Sequence, residues 1–323
     1  MNIKKVGLTA LAASLVSVSA NAGELSVSGA ASLGIGGYSG DNVDLGTSFT
    51  MGNQFTVTGS GELDNGLTVS LSYELDQGAA ATTSSPFDNH SLTVSSEGMG
   101  TLKFSGHGGS SASSSIDGTV AGDIWDGFDG ALSGNAATGL AVSAAGAGNN
   151  SMFYTLPEIM EGVSLYASYN PQVAGSTEAE VGYGITYTGI EGLTASYAST
   201  DEETGTANTS GEQTAYKLSY AFGPITVGMS NSDYDVGSSG TDQEIDSYNI
   251  AYTVSDELSL AYGVEEISNS GSAVDPEYSA IVATYTSGGV TLTAKMEEAE
   301  NIDGTTNASA DQEYWFLGAA FAF

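Results

Sequence analysis

The sequence predicts an all-β protein in which sixteen antiparallel strands close into a single transmembrane β-barrel. Three observations lead to this fold class: an N-terminal export signal, many short segments in which apolar and polar residues alternate, and connections that are alternately short and long. After residue 22, no run of about twenty strongly apolar residues offers a membrane-spanning helix. Strands are therefore the elements left to cross a membrane.

The first 22 residues have the composition of a signal peptide. Lys4 and Lys5 supply positive charge, residues 6–18 form a short apolar run, and Ala20 and Ala22 place small side chains where a signal peptidase requires them. The apolar run is too short to span a bilayer as a helix. We therefore predict that residues 1–22 are removed and that residues 23–323 form one barrel domain.

Alternation with a period of two residues marks the strands. In residues 67–76, Leu, Val and Tyr alternate with Thr, Ser, Glu and Asp, and residues 163–170 and 290–297 follow the same pattern. Successive side chains of a strand point to opposite faces, so each such strand has an apolar face and a polar face. Sixteen segments of this kind begin near Glu24, Thr47, Gly66, Asn89, Thr101, Ser151, Gly162, Glu178, Gly192, Glu212, Pro224, Glu244, Glu257, Pro276, Gly289 and Gln312. The count is even, as in single-chain bacterial outer-membrane barrels.

The connections between these segments fall into two alternating classes. The tight ones lie at residues 62–65, 97–100, 157–161, 189–191, 223–224, 255–256 and 287–288, and the long polar ones at 37–46, 77–88, 107–149, 170–177, 201–211, 233–243, 269–275 and 300–311. Outer-membrane barrels have short periplasmic turns and long external loops, whereas a soluble β-sandwich has no reason to alternate them. Because a closed sheet of sixteen strands is too wide for side chains to fill, the polar face is expected to line water and the apolar face to meet lipid.

Aromatic residues gather near the predicted strand ends. The turn-side group is Tyr187, Tyr220, Phe222, Phe321 and Phe323, and the loop-side group includes Tyr197 and Trp315. Such a distribution is typical of the two aromatic girdles at the membrane surfaces of an outer-membrane barrel.

The charge balance narrows the classes of partner. After residue 22 the chain has 39 acidic residues against three lysines, a net charge of −36, and it contains no arginine. Nucleic acid is excluded as a partner because its binding requires a basic surface. Acidic clusters predicted to lie in external loops, at residues 201–203, 233–235, 265–266 and 297–300, are either solvated surface or sites where Ca²⁺ binds and bridges the loops to lipopolysaccharide.

Several short motifs resemble those of the Gram-negative trimeric porins. Residues 25–30 are similar to the first strand of that family, residues 59–69 to its second strand, turn and third strand, and residues 149–169 to the segment after its constriction loop. Phe323 resembles the terminal aromatic residue by which such barrels are assembled. The resemblance implies a sixteen-stranded homotrimeric barrel whose third loop folds inward to narrow the pore. That family commonly sets arginines on the wall against acids on the loop, and this chain departs from it in having no arginine.

The longest connection, residues 107–149, takes the place of that inward loop, and we predict that Trp125 and Phe128 hold it against the wall. The candidate constriction residues are Asp117, Asp123, Asp126 and Asp129, together with Lys103, Lys217 and Lys295. The three lysines fall in the polar phase of their strands and should therefore face the lumen. The alternative for the four acids is a solvated surface loop.

The sequence thus predicts a porin in the outer membrane of a Gram-negative bacterium, a water-filled channel for passive diffusion of small hydrophilic solutes and ions that prefers cations. Two alternatives stay open: a substrate-selective channel, in which lumen aromatics such as Tyr166 or Phe316 guide sugars, and an acidic secreted surface protein. No enzyme is expected, because the two histidines, His90 and His107, have no recognisable nucleophile motif nearby. No cofactor is expected apart from Ca²⁺, and the other expected partners are outer-membrane lipid and lipopolysaccharide.

Overall fold

The computed structural model describes residues 25–40, 43–76, 87–129, 145, 148–171, 179–202, 211–236, 242–306 and 311–323, with the backbone alone for residues 43–45, 129 and 202. The strands are β1 (Leu25–Gly40), β2 (Val43–Glu62), β3 (Thr68–Asp76), β4 (Asn89–Ser96), β5 (Gly100–His107), β6 (Ser151–Thr155), β7 (Val163–Asn170), β8 (Glu180–Tyr187), β9 (Leu193–Glu202), β10 (Gly211–Phe222), β11 (Ile225–Val236), β12 (Gln243–Thr253), β13 (Leu258–Asn269), β14 (Glu277–Ser287), β15 (Val290–Glu300) and β16 (Gln312–Ala322). A single helical turn, α1 (Asp126–Asp129), lies between β5 and β6. The predicted signal peptide, residues 1–22, lies outside the described residues.

Each strand pairs antiparallel with its neighbours in sequence, and β1 also pairs with β16, so the sheet closes into a barrel. At this seam the Gly29 amide donates to the Phe323 carbonyl oxygen at 2.7 Å, and the Phe323 amide donates to the Gly29 carbonyl oxygen at 3.0 Å. Closure pairs every strand on both sides and leaves the sheet without a free edge. The predicted fold class, a sixteen-stranded antiparallel barrel, is confirmed. In the described part of the chain, no helix has the length and apolar character to cross a bilayer.

The predicted strand boundaries agree closely with the structure. Fifteen of the sixteen predicted starts lie within two residues of the observed ones, and only β2 begins earlier, at Val43. The long polar connection predicted at residues 37–46 is wrong, because β1 continues to Gly40 and the pairing with β2 passes through a bulge between Tyr38 and Ser39. Glycine and short polar side chains made this segment resemble a loop, but backbone pairing extends both strands through it.

Side chains alternate between the outside and the lumen along each strand. On β10, Tyr216, Leu218 and Tyr220 are exposed on the outer face, whereas Gln213 and Ala215 are buried on the inner face. Exposed aromatic side chains on the outer face form a turn-side row of Tyr220, Phe222, Tyr252, Tyr285 and Phe321 and a loop-side row of Tyr197, Tyr216, Tyr248, Tyr262 and Trp315. These two rows agree with the predicted girdles and mark the limits of the lipid-covered band.

The acidic clusters predicted to lie in loops are placed differently by the structure. Their members belong to the loop-side ends of β9, β11, β13 and β15, apart from residue 203, which lies outside the described residues. Within a strand, adjacent acids point to opposite faces, so Glu265 is buried inside the barrel while Glu266 is exposed outside it. The prediction that such neighbours lie together in a loop is therefore wrong. The polar composition of these segments was typical of a loop, but the strands extend beyond the apolar band.

Candidate functional site

The connection between β5 and β6 lies against the lumen side of the wall. Its described residues, 108–129, 145 and 148–150, contact inward-facing side chains of β7 to β16 and of β1. We call residues 109–128 the lumen connector. Ala112 contacts Ala198 of β9 near one end, and Tyr38 of β1 donates a hydrogen bond from its hydroxyl to the Gly127 carbonyl oxygen at 2.7 Å near the other. The connection thus follows about two thirds of the circumference of the barrel, from β7 to β1.

A buried amide on β10 fastens the first part of the lumen connector. Gln213 is 1% exposed, and its Oε1 accepts hydrogen bonds from Ser113 Oγ at 2.8 Å and from the Ala145 amide at 2.9 Å. Its Nε2 donates to Asp117 Oδ2 at 3.1 Å and to Ser232 Oγ at 2.9 Å. All four hydrogen-bonding positions of the amide are therefore used. Because Ser113 and Ala145 belong to the outgoing and returning limbs of the connection, Gln213 joins both limbs to the wall.

A buried carboxylate on β13 fastens the second part. Glu265 is 3% exposed, its Oε1 accepts a hydrogen bond from Thr119 Oγ1, and its Oε2 accepts one from the Trp125 amide at 3.1 Å. Thr119 Oγ1 also accepts from the Asp123 amide at 2.7 Å, while Asp123 Oδ1 accepts from the Thr119 amide at 2.8 Å. Asp123 has a positive φ of 53°, a conformation that these reciprocal hydrogen bonds stabilise. Glu265 thus holds a self-supporting turn against the wall.

Glycines on the wall allow the backbone of the lumen connector to approach closely. A β-carbon at Gly182 of β8 would lie 2.8 Å from Ala112 Cβ, and one at Gly263 of β13 would lie 2.5 Å from Ala121 Cβ. Both distances are shorter than a normal carbon–carbon contact, so only glycine leaves the required space.

An apolar cluster completes the attachment. Phe128 is fully buried, and Trp125 is partly buried at the margin of the same cluster. The other buried members come from β12 to β15 and the segment after β15: Ile245, Ile267, Tyr278, Ala280, Ala299 and Ile302, with Ile124 from the lumen connector. The prediction that Trp125 and Phe128 hold this connection against the wall is confirmed. Burying a side chain such as Phe128 contributes about 1.5–3 kcal/mol to that attachment.

The predicted acids of the connection occupy different environments. Asp117 is partly buried beside Gln213, and burial raises the pKa of its carboxyl group, with a further rise from the Asp123 carboxylate and opposing effects of the Gln213 hydrogen bond and Lys217. Asp123 closes the turn at Thr119. Asp126 is exposed at the start of α1, and the side chain of Asp129 lies outside the described residues. Of the three acids whose side chains are described, Asp126 is therefore the most accessible to water.

All three lysines after residue 22 occupy inward positions, but two of them are engaged. Lys217 Nζ donates to the Gly118 carbonyl oxygen, and Lys295 Nζ forms an ion pair with Glu297 Oε1 at 3.0 Å. Lys103, on β5, is exposed and has no hydrogen-bond or ion-pair partner among the described residues. In a ring of sixteen strands ordered as in the sequence, β5 lies opposite β13, where Glu265 holds the lumen connector. Lys103 is therefore an exposed inward lysine on the wall across the lumen from Glu265.

A model of the Gram-negative porin family matches residues 7–264. The chain belongs to the Gram-negative porin family. Solved porin structures share its fold: an anion-selective porin from Comamonas acidovorans has 15% identity and a TM-score of 0.70, covering 93% of this chain and 99% of that one. A porin refined at 1.8 Å resolution has 16% identity and a TM-score of 0.67, covering 93% and 100%. A mutant of the Rh. blastica porin has 17% identity and a TM-score of 0.64, again covering 93% and 100%. No curated protein shows significant sequence similarity.

Membership of this family makes the protein an outer-membrane channel of a Gram-negative bacterium, as predicted. The alternative of an acidic secreted surface protein is therefore excluded. Two aromatic residues that the sequence predicted to face the lumen have different surroundings in the porin barrel. Tyr166 is 8% exposed because it packs against Ala112 and Ile116 of the lumen connector, whereas Phe316 stays partly exposed on the inner wall.

Of the two residues that fasten the lumen connector of this porin, Gln213 was missed from the sequence and Glu265 was assigned to an acidic cluster in an external loop. Gln213 and Glu265 both fall in the inward phase of strands that had been recognised by their alternation. Their phase predicts that they face the lumen, but not that a distant segment covers them. Long-range contacts of this kind leave no local signal in a single sequence.

Proposed function

We propose that this porin is a channel for passive diffusion of small hydrophilic solutes, that it favours cations over anions, and that it acts as a homotrimer. The cation preference is carried by one observation. Asp117, Asp123 and Asp126 lie on the lumen connector. Of the three inward lysines that could balance them, Lys217 donates to the Gly118 carbonyl oxygen and Lys295 forms an ion pair with Glu297. Lys217 keeps its charge, because a carbonyl oxygen is neutral, and Lys103 is the inward lysine with no hydrogen-bond or ion-pair partner among the described residues.

The physical basis is the potential inside a narrow, water-filled passage. A passage lined by one sign of charge raises the local concentration of ions of the opposite sign. At about 0.1 M salt this effect extends over a Debye length of about 10 Å, and at 1 M over about 3 Å. We therefore expect the preference for cations to be strongest in dilute salt and to decline as the salt concentration rises.

The anion-selective porin from Comamonas acidovorans shares the fold of this chain at 15% identity. Its ion preference belongs to that protein, since selectivity depends on the side chains of the lumen rather than on the barrel itself. The 39 acidic residues of this chain and its lack of arginine favour the opposite preference.

Reversal potentials measured in planar bilayers under a KCl gradient test this proposal. We expect a potential of the sign that corresponds to faster passage of K⁺. A potential of the opposite sign, corresponding to faster passage of Cl⁻, would show that the proposed preference is wrong.

Asp126→Asn provides the local test, because the Asp126 side chain is exposed and starts α1. We expect the ratio of K⁺ to Cl⁻ permeability to fall. Asp256→Asn is the matched control, since Asp256 is an exposed acid in the turn between β12 and β13, away from the lumen connector. Asp123→Asn is a weaker test, because it also alters the turn that Asp123 closes with Thr119. An unchanged ratio in Asp126→Asn would remove this residue from the ion path.

Diffusion without a preferred solute has its own signature. In liposome swelling with sugars of graded size, the rate should fall smoothly as the solute becomes larger. A sugar that enters much faster than its size allows would favour the alternative, a substrate-selective channel.

The homotrimer rests on the family, and heat-modifiable migration of the detergent-extracted protein tests it. A single migrating species of monomer size before heating would count against a trimer. Calcium stays a prediction, and within the described residues no group of three or more Asp, Glu, His or Cys side chains is arranged to hold a metal ion. Trimer melting that is unchanged by a chelator would count against a structural role for Ca²⁺.

A further inference from the structure

Two external connections on the loop side of the barrel are hydrogen-bonded to each other. Residues 270–276 join β13 to β14, and residues 301–306 follow β15. The amides of Ala273 and Val274 donate to the Gly304 carbonyl oxygen at 3.0 Å and 3.4 Å. We call residues 270–276 and 301–306 the paired connections. Because their backbones are joined, they form one folded unit at the external end of the barrel.

A tight turn in the second of these connections places Ile302 inside the barrel. Asn301 has a positive φ of 55°, and Gly304 has one of 71°. Asparagine and glycine adopt this left-handed conformation more readily than other residue types. The Gly304 amide donates to the Asn301 carbonyl oxygen at 2.8 Å and closes the turn. Ile302, within this turn, is fully buried although β15 ends at Glu300.

Ile302 belongs to the buried apolar cluster that holds the end of the lumen connector. In this cluster the Phe128 ring contacts two tyrosines of the wall, with centroid distances of 6.0 Å to Tyr38 and 5.9 Å to Tyr278. Among the described members of the two buried clusters of the lumen, Ile302 is the one contributed by an external connection other than the lumen connector. Ile302 is therefore the apolar link between the paired connections and α1.

The single helical turn α1 carries both a buried ring and a charge in the lumen. Phe128 is fully buried in the cluster, whereas Asp126, two residues earlier, is exposed. The two residues belong to one turn of helix, so a displacement of Phe128 also displaces Asp126. Protein interiors are close-packed and transmit a displacement from one side chain to its neighbours. A displacement of Ile302 is therefore expected to reach the lumen.

We propose that Ile302 is a positioning residue of the channel, which couples the paired connections outside the barrel to α1 inside it. A large molecule bound to the paired connections then changes the position of α1 and, with it, the ion current. This inference rests on the channel function and does not depend on the proposed preference for cations.

Single-channel recordings with a protein attached to the paired connections test this coupling. The chain contains no cysteine, so Thr306→Cys, at an exposed position of the second connection, can be labelled with biotin maleimide in the purified full-length protein. Streptavidin is then added on both sides of a planar bilayer. We expect the current noise of the open channel to increase when streptavidin binds.

Three substitutions of Ile302, each combined with Thr306→Cys, separate coupling from obstruction of the pore mouth by streptavidin. Ile302→Val keeps most of the apolar side chain and should retain most of the noise response. Ile302→Ala leaves a cavity, and Ile302→Thr has the size of valine with a hydroxyl group that loosens an apolar cluster. Both should lose most of the response. If Ile302→Ala does not assemble, the comparison of Ile302→Val with Ile302→Thr decides.

Asp88→Cys is the matched control for the position of the label. Asp88 is exposed on the loop side immediately before β4 and is not a member of the cluster around Phe128. Any response to streptavidin at this position should be the same with Ile302, Ile302→Val or Ile302→Thr.

The outcomes are distinct for the channel and for the coupling. If the wild-type protein passes no current, the channel function is wrong. If current passes but streptavidin at Thr306→Cys leaves the noise unchanged, or raises it equally in Ile302→Val and Ile302→Thr, the channel stands and the coupling is wrong.

Discussion

The two halves of the barrel wall differ sharply on their outer faces. On β1 to β8, none of the described outward side chains is an Asp, Glu or Lys. On β9 to β16 every strand carries at least one outward acid beyond the loop-side aromatic row: Asp201, Glu212, Asp233, Asp235, Glu244, Asp246, Glu266, Glu277, Glu298, Glu300 and Glu313. The fold is the same in both halves, so the difference comes from the side chains alone. The first half presents an uncharged surface, and the second meets the membrane surface with a row of carboxylates.

The inner faces of the two halves differ as well. The lumen connector covers much of the second half and is fastened there by Gln213, Glu265 and the cluster around Phe128. The inward positions of β1 to β5 are mostly Ser and Thr and carry Lys103. One half of the sheet thus supports a folded segment, while the other leaves a hydroxyl-lined wall open to water. Substitutions matched between the halves should have very different effects.

The largest difference is expected for Gln213→Leu compared with Gln54→Leu. Gln213 is buried with four hydrogen bonds, and each buried polar group that loses its partner costs about 1–3 kcal/mol. We expect Gln213→Leu to destabilise the barrel by about 3 kcal/mol or more and to increase the current noise of single open channels.

Gln54 is exposed on the inner face of β2, and its replacement should change stability by less than about 0.5 kcal/mol. Denaturant-dependent unfolding in vesicles gives the stabilities, and single-channel recordings give the noise. Equal effects of the two substitutions would contradict the difference between the inner faces.

The outer faces are compared by placing a lysine on each of them. Leu71→Lys puts a charge on the uncharged lipid face of β3, where a lysine at mid-depth costs about 2–4 kcal/mol. Thr214→Lys on β10 puts the same charge directly across from Asp233, and cross-strand pairs of opposite charge stabilise a sheet by about 0.2–1 kcal/mol. The difference between the two folding free energies in vesicles measures the asymmetry. A similar loss of folding free energy in both variants would mean that the outward acids do not compensate the new charge.

A smaller difference is expected between two lumen lysines. Lys103→Gln removes a positive charge without a described partner and should raise the ratio of K⁺ to Cl⁻ permeability by up to about twofold, since a charge several ångströms from an ion in water-like surroundings interacts by about 1 kcal/mol or less. Lys217→Gln removes a charge that the nearby Asp117 carboxylate already offsets in part, so its effect on the ratio should be smaller. Reversal potentials in dilute KCl give the permeability ratio of each variant. A larger effect of Lys217→Gln than of Lys103→Gln would contradict this prediction.

The smallest effect is expected from the titration of Asp117. Burial raises the pKa of this carboxyl group, so in the folded protein it takes up a proton at a higher pH than an ordinary aspartate. The preference for cations should therefore begin to decline above the usual range of aspartate titration as the pH is lowered. In Asp117→Asn, the decline above the usual range of aspartate titration should be absent, and the decline within that range should remain. Reversal potentials measured as a function of pH would show whether the two curves separate.

Most of the fold was predictable because alternation is a local property. Strands such as β12 to β15 follow a period of two from end to end, and their starts were placed within two residues. The extension of β1 through Tyr38 to Gly40 was not predictable, since it depends on pairing with β2 across a bulge.

The candidate site was predictable in its residues but not in its attachments. The phase of Lys103, Lys217 and Lys295 followed from their strands, and the sequence pattern singled out Trp125 and Phe128. The roles of Gln213 and Glu265 depend on where distant segments of the chain lie in space: Ser113 is 100 residues from Gln213, and Trp125 is 140 residues from Glu265. The same holds for Tyr166. Its inward position follows from the alternation of β7, but the packing of Ala112 and Ile116 against it could not be predicted from β7 alone.

The seam between β1 and β16 has a consequence for how this protein reaches its membrane. Pairs such as Ala30 with Ala322 join residues from opposite ends of the described chain, so this ladder is the least local of all the strand pairings. Until it forms, both strands present unsatisfied backbone groups that another chain can pair with. Long-range pairing of this kind is slow and leaves a chain exposed to aggregation while it waits. Export therefore requires that the unfolded chain be kept apart from its copies until Gly29 and Phe323 meet.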